Sequence, residues 1–157
     1  MNRRTSAFSL VELIIVISVL GILAALVIPR FVNATDDARA GAAAMTLTNT
    51  RKALQRFGLD HKGVYPSTEK LWESLSSKTN EDGDITPKGT LGPYLLDKPV
   101  NPWNQFDTIY EMETPVAVAA KYAEYAAKYG WLYDPKSGQL AIPGFDDTAQ
   151  KYYGTAP

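Results

Sequence analysis

The stretch that decides the fold is FSLVELIIVISVLGILAALVI, residues 8 to 28, which is apolar throughout except for Glu12. As an α-helix this stretch would extend about 32 Å, enough to cross the hydrocarbon core of a bilayer. A carboxylate inside such a helix costs roughly 2.5–3.5 kcal/mol at the bilayer centre and less near an edge. The sequence therefore predicts a transmembrane helix in which Glu12 has a function.

The segment before this stretch, MNRRTSA, carries Arg3 and Arg4 and no acidic residue. Positive residues that flank a membrane span stay in the cytoplasm. We therefore expect a single pass through the inner membrane, with the amino terminus in the cytoplasm and the rest of the chain exported. The alternative is a soluble exported binding protein behind a signal peptide that ends near Ala25. The acidic Glu12 fits that alternative poorly.

The composition limits what the exported part can be. The length of the chain leaves room for one small exported domain. The formal net charge is −1, and loss of Arg3 and Arg4 with a leader would make it −3, so no nucleic acid is expected as a partner. There is no cysteine to form a disulfide, one histidine (His61), and no catalytic or nucleotide-binding motif. We predict that the protein is not an enzyme.

The helical pattern continues beyond the apolar stretch. Pro29 removes one backbone hydrogen bond, which predicts a kink. Further along, apolar residues recur at helical spacing and share one side: Ala40, Ala44, Leu47, Leu54 and Phe57. The sequence predicts one helix of about fifty residues from Phe8, whose second half carries a globular domain.

Shorter elements follow this long helix. A short helix is predicted after an N-cap at Ser67 or Thr68, and an Ala-rich helix over 116–128. Strands are predicted over 106–112 and in a hairpin that joins 130–134 to 139–142, and the tail after Gly144 is predicted to be loop. The fold class is therefore α+β.

The heptapeptide AFSLVEL, Ala7 to Leu13, resembles the processing signature of type IV prepilins and type II secretion pseudopilins. The resemblance implies that prepilin peptidase cuts between Ala7 and Phe8 and methylates the new amine of Phe8. The family nearly always has glycine where this chain has Ala7, and alanine is the mildest replacement. The implied organisation is a leader (1–7), a transmembrane and filament-core helix (8–29) and a globular domain (30–157). The implied fold is the type IV pilin fold, a long kinked N-terminal helix on a small antiparallel β-sheet.

Three further stretches resemble those of major pseudopilins, namely YPST at 65–68, GPYL at 92–95 and NPW at 101–103. They favour a structural subunit of a type II secretion pseudopilus, which functions in protein secretion. The alternative is a surface type IV pilin for adhesion, motility or DNA uptake. The implied partners are copies of the same chain, prepilin peptidase, and an inner-membrane assembly platform with its ATPase. The implied locations are the inner membrane and then a periplasmic or cell-surface filament.

Two sets of acidic residues are candidate sites. After cleavage, Glu12 could neutralise the Phe8 amine of a neighbouring subunit inside a low-dielectric bundle of helices, which would favour assembly and set its register. The alternative is a carboxylate that only reaches the membrane surface. Asp146 and Asp147 could lie in a solvated loop or bind calcium, which major pseudopilins use in this region. Asp134 is a weaker candidate.

Overall fold

The computed structural model describes residues 9–112 and 124–152. The chain forms two compact units, Met1–Asp37 and Ala38–Pro157. The first helix, α1 (Leu10–Asp60), begins in the first unit and ends in the second. The predicted boundaries at residues 7 and 29 stay predictions.

The predicted long helix is confirmed, since α1 has 51 residues. Its hydrogen-bonded course includes Pro29, so this proline does not end the helix; the kink stays a prediction. The helix ends where the chain enters the left-handed region, with φ of 57° at Lys62 and 85° at Gly63. There the Gly63 N–H donates to the carbonyl oxygen of Gly58 at 2.7 Å, which satisfies a carbonyl group of the last turn.

The second unit is built on one side of α1, as the apolar spacing predicts. Leu47, Leu54 and Phe57 are buried, and Ala44 is half-buried against the same core. A 3₁₀ turn (Thr68–Lys70) leads into the short helix α2 (Leu71–Ser76). Ser67 precedes this turn but makes no side-chain capping bond. The buried side of α2 consists of Leu71, Trp72, Ser74 and Leu75.

A three-stranded sheet covers this core. Its strands are β1 (Ile109–Glu111), β2 (Trp131–Asp134) and β3 (Gln139–Ala141), in the order β1-β2-β3. The β2–β3 pair is the predicted antiparallel hairpin, with Tyr133 opposite Leu140. However, β1 runs parallel to β2, so the sheet is mixed, within the predicted α+β class.

The segment after Gly144 is more ordered than the predicted loop. It forms a two-stranded antiparallel sheet from β4 (Phe145–Asp146) and β5 (Lys151–Tyr152). Both Phe145 and Tyr152 are buried in the core, and this burial fixes strands that are too short to be stable alone. Most of the predicted Ala-rich helix lies outside the described residues, and 124–127 form a 3₁₀ turn.

A fragment that begins at Asn33 is expected to fold as a soluble monomer with helix and strand signals in circular dichroism. The reason is that all described core residues lie at or beyond Ala40. The full chain, purified in parallel, should need detergent. An unfolded fragment would show that the apolar span is part of the core and would contradict the predicted division into anchor and globular domain.

Candidate functional site

The first candidate site is the apolar part of α1. Residues Leu10–Val27 form a span with mean hydropathy 2.9, and none of it is buried within the chain. Its large side chains, such as Leu10, Ile22 and Leu26, are exposed. A helix that is apolar on all sides requires lipid or other apolar helices around it. The site is therefore an exposed apolar helix surface that lipid or other apolar helices could cover.

Glu12 has a local contact that the sequence reasoning missed. Its Oε2 accepts a hydrogen bond from the Ser9 N–H at 2.9 Å, and the Ser9 Oγ accepts one from the Val11 N–H at 3.3 Å. This reciprocal arrangement is a variant of the capping box in which the Ser9 oxygen bonds the N–H of Val11 instead of that of Glu12, and the Ser-x-x-Glu spacing was the signal for it. The cap leaves Glu12 exposed at the start of α1. Its pairing with a neighbouring Phe8 stays a prediction, and Ala7 and Phe8 lie outside the described residues.

The second candidate site contains Asp147, which lies in the turn between β4 and β5. Its Oδ2 is 2.5 Å from Nη1 of Arg51, on α1. The same guanidinium donates from Nε to the carbonyl oxygen of Leu140 at 2.7 Å. Arg51 therefore joins the long helix to β3 and to the pair β4–β5, which we call the C-terminal hairpin.

The neighbouring carboxylates form turns. Asp146 Oδ1 accepts from the N–H groups of Thr148 and Ala149, at 2.8 and 2.9 Å. Asp134 accepts from the Ser137 hydroxyl at 2.6 Å and from the Lys136 N–H at 2.9 Å, and the Ser137 bond holds the pKa of Asp134 below its usual value. Calcium requires six to eight oxygen ligands. Within 9–112 and 124–152, no group of three His, Asp or Glu side chains could hold a metal ion. Calcium binding by Asp146 and Asp147 is therefore untested.

The YPST and GPYL stretches hold the globular unit together. The carbonyl oxygen of Pro66 accepts from the Tyr133 hydroxyl at 2.8 Å. The Tyr94 hydroxyl donates to Asp60 at 2.9 Å, and burial together with this bond raises the pKa of Tyr94 to about 12. The Tyr94 N–H donates to the carbonyl oxygen of Leu75. Both stretches therefore have structural roles.

The NPW stretch anchors the C-terminal hairpin. Asn101 is fully buried, and its Oδ1 accepts from the Trp103 N–H at 2.9 Å and from the Tyr152 hydroxyl at 3.0 Å. The rings of Trp103 and Tyr152 stack with centroids 3.9 Å apart. Pro102 and Trp103 therefore lie in a turn, and the Trp103 ring packs on the core.

His61 also has a structural environment. Its ring stacks on Phe57, with centroids 3.8 Å apart, and its nitrogens lie 2.7 Å from the carbonyl oxygen of Phe57 and 3.0 Å from that of Asn80. These contacts join the end of α1 to the following loop. They account for the buried ring without a catalytic role.

A long helix with an exposed apolar start and a capped acidic residue, on which a small α+β unit is built, defines a pilin-type subunit. Comparison with known proteins agrees with this class. A family model described as type II secretion system (T2SS), protein G, matches residues 30–123, and a prokaryotic N-terminal methylation motif matches residues 2–28. The chain belongs to the type II secretion system protein G family.

Individual relatives are of two kinds. The chain is 37% identical to the type II secretion system core protein G of Pseudomonas aeruginosa over 103 residues, covering 65% of this chain and 70% of the relative. It is 28% identical to the core protein G of Klebsiella michiganensis over 151 residues, covering 94% and 93%. It is also 39% identical to the type IV narrow pilus major component PilA5 of Thermus thermophilus over 87 residues, covering 55% and 69%. No solved structure matches significantly.

Proposed function

We propose that the protein is a structural, non-enzymatic subunit of a type II secretion pseudopilus. The observation that carries the proposal is that the apolar span Leu10–Val27, with Glu12 near its start, is unburied and belongs to the same helix that builds the globular core. Such a span is stable in two settings, a bilayer and a bundle of copies of itself. Membership of the protein G family agrees with this function.

The mechanism is assembly. Before assembly the span lies in the inner membrane with the amino terminus in the cytoplasm, and prepilin peptidase cuts after Ala7. An assembly platform and its ATPase then extract the subunit, and contact with neighbouring helices replaces the lost lipid contact. Glu12 pairs with the Phe8 amine of a neighbour, which removes two unpaired charges from an apolar bundle. The product is a periplasmic filament.

A surface type IV pilus is the second candidate function, and the likeness to PilA5 of Thermus thermophilus supports it. Deletion of the gene, with plasmid complementation as the control, distinguishes the pseudopilus function from the surface pilus function. Loss of secreted proteins from the medium, with twitching, adhesion and DNA uptake unchanged, supports the pseudopilus. The opposite pattern would overturn the pseudopilus in favour of the surface pilus.

The mature protein is expected to begin at Phe8 with one added methyl group, because the methylation motif matches residues 2–28. Mass spectrometry of the N-terminal peptide from the membrane fraction measures both the cut and the methyl group. The unprocessed chain from a strain without prepilin peptidase is the control. A mature start near Leu26 would contradict the proposal and indicate signal peptidase and a soluble exported protein.

A further inference from the structure

Arg51 occupies an unusual position in the globular unit, because one side chain contacts two separate C-terminal segments. Its Nε donates to the backbone oxygen of Leu140 in β3 at 2.7 Å, and its Nη1 contacts Asp147 at 2.5 Å. Asp147 lies 96 positions further along the chain. The guanidinium therefore cross-links the C-terminal part of α1 to the last described turn.

The hairpin that Arg51 contacts has few backbone bonds of its own. β4 and β5 pair over two residues each and form a sheet separate from β1-β2-β3. The ends of the hairpin are held by Phe145 and Tyr152 in the core, whereas the turn 147–150 is exposed. Asp146 stabilises this turn from within through the N–H groups of Thr148 and Ala149. Within the described residues, the Arg51–Asp147 contact is the ion pair that joins the turn to α1.

This arrangement competes with calcium. A calcium ion at this turn would need the oxygens of Asp147, and one of them already faces a guanidinium. The fixed positive charge of Arg51 would repel a second cation placed beside it. The guanidinium also supplies what a structural ion would supply, a cation that bridges a carboxylate and a backbone carbonyl oxygen.

We propose that Arg51 takes the place of a structural calcium ion, and that its guanidinium fastens the C-terminal hairpin to α1 so that the globular unit does not depend on calcium. The proposal concerns the globular unit alone, so it holds whether the filament is a pseudopilus or a surface pilus. The side chains of Arg51 and Asp147 are 36% and 42% exposed, so water screens the pair and its effect on global stability is modest. Its larger effect is on local opening of the hairpin.

The test uses the full chain in detergent and measures thermal unfolding and hydrogen exchange of residues 144–152, in excess calcium and in EGTA. For the wild type we expect the same Tm, within about 1 °C, in both buffers. For Arg51→Gln we expect a Tm lower by about 4 °C and roughly tenfold faster exchange in the hairpin. Asp147→Asn should reproduce the effect, and the double variant should add little to either single one.

Two further variants separate the cross-link from a simple loss of charge. Lys52→Gln removes the same charge from the next, exposed residue of α1 and should leave exchange in 144–152 unchanged. Arg51→Lys keeps the charge but loses the planar fork that reaches both partners, so it should fall between wild type and Arg51→Gln. It also serves as the test variant if Arg51→Gln does not fold.

Two results would overturn the proposal. A wild-type Tm that falls in EGTA and recovers with calcium would assign a calcium site instead, with Asp146 and Asp147 as the first candidate ligands. Equal hairpin exchange in the Arg51 variants and in Lys52→Gln would show that the contact does not fasten the hairpin.

Discussion

Glu12→Ala is expected to abolish filaments while the protein still enters the membrane and its globular unit still folds. The globular core contains no part of the Glu12 turn, since its described residues begin at Ala40. In a filament, by contrast, Glu12 and the Phe8 amine would form an ion pair in apolar surroundings, and removal of Glu12 would leave the amine unpaired. The loss of assembly free energy would be about 3–5 kcal/mol for every subunit. Electron microscopy of filaments and immunoblots of membrane fractions measure the two effects separately.

The capping box calls for matched controls, because Glu12→Ala also removes a local hydrogen bond. Loss of a helix cap costs about 1 kcal/mol, well below the cost of the unpaired amine. Glu12→Gln keeps an oxygen acceptor for the Ser9 N–H but loses the charge, and we expect it to lack filaments as well. Ser9→Ala loses the Oγ contact to Val11 and keeps the carboxylate, and we expect it to form filaments. Normal filaments from Glu12→Gln would contradict the pairing hypothesis.

Gly130→Ala is expected to disrupt the globular unit. A Cβ atom on Gly130 would lie 2.0 Å from the carbonyl oxygen of Phe106 and 2.6 Å from its carbonyl carbon. Both obstructing atoms belong to the backbone. Hydrogen bonds also hold Gly130 on two sides, because its N–H donates to the carbonyl oxygen of Thr108 and its own carbonyl oxygen accepts from Nδ2 of Asn101. The methyl group must therefore push the 106–108 segment away from β2.

We expect Gly130→Ala to cost about 3 kcal/mol, the upper range for overpacking a core, and to lower the Tm by about 10 °C. The matched control is Gly41→Ala, on an exposed part of α1 where a Cβ would meet nothing within 4 Å. Because alanine favours a helix over glycine by up to about 1 kcal/mol, this control should keep or raise the Tm. Thermal unfolding by circular dichroism compares the two. Equal Tm values for the two variants would show that stability does not require the close approach of Phe106 to Gly130, and would contradict the prediction.

Part of this structure follows from local sequence. The apolar stretch from Phe8 to Ile28 predicts α1 and its exposed span, because length and hydropathy act within a single segment. The helical spacing of Leu47, Leu54 and Phe57 predicts which side of α1 is buried. The hairpin of β2 and β3 is also local, since the turn between them is closed by Asp134 with Ser137 and Lys136. The capping box of Ser9 and Glu12 was readable in the same way and was missed.

The sequence by itself therefore determined the apolar span, the long helix, the buried side of that helix, and one hairpin. The tertiary structure decided which segments lie beside that hairpin and what holds the C terminus. β1 pairs with β2 in parallel, Asn101 holds Tyr152, and Arg51 meets Asp147 from 96 positions away. Such contacts depend on how all the elements pack together, because closing a long loop costs entropy that only the whole core offsets. No local pattern around Arg51 or Asp147 specifies the other residue as its partner.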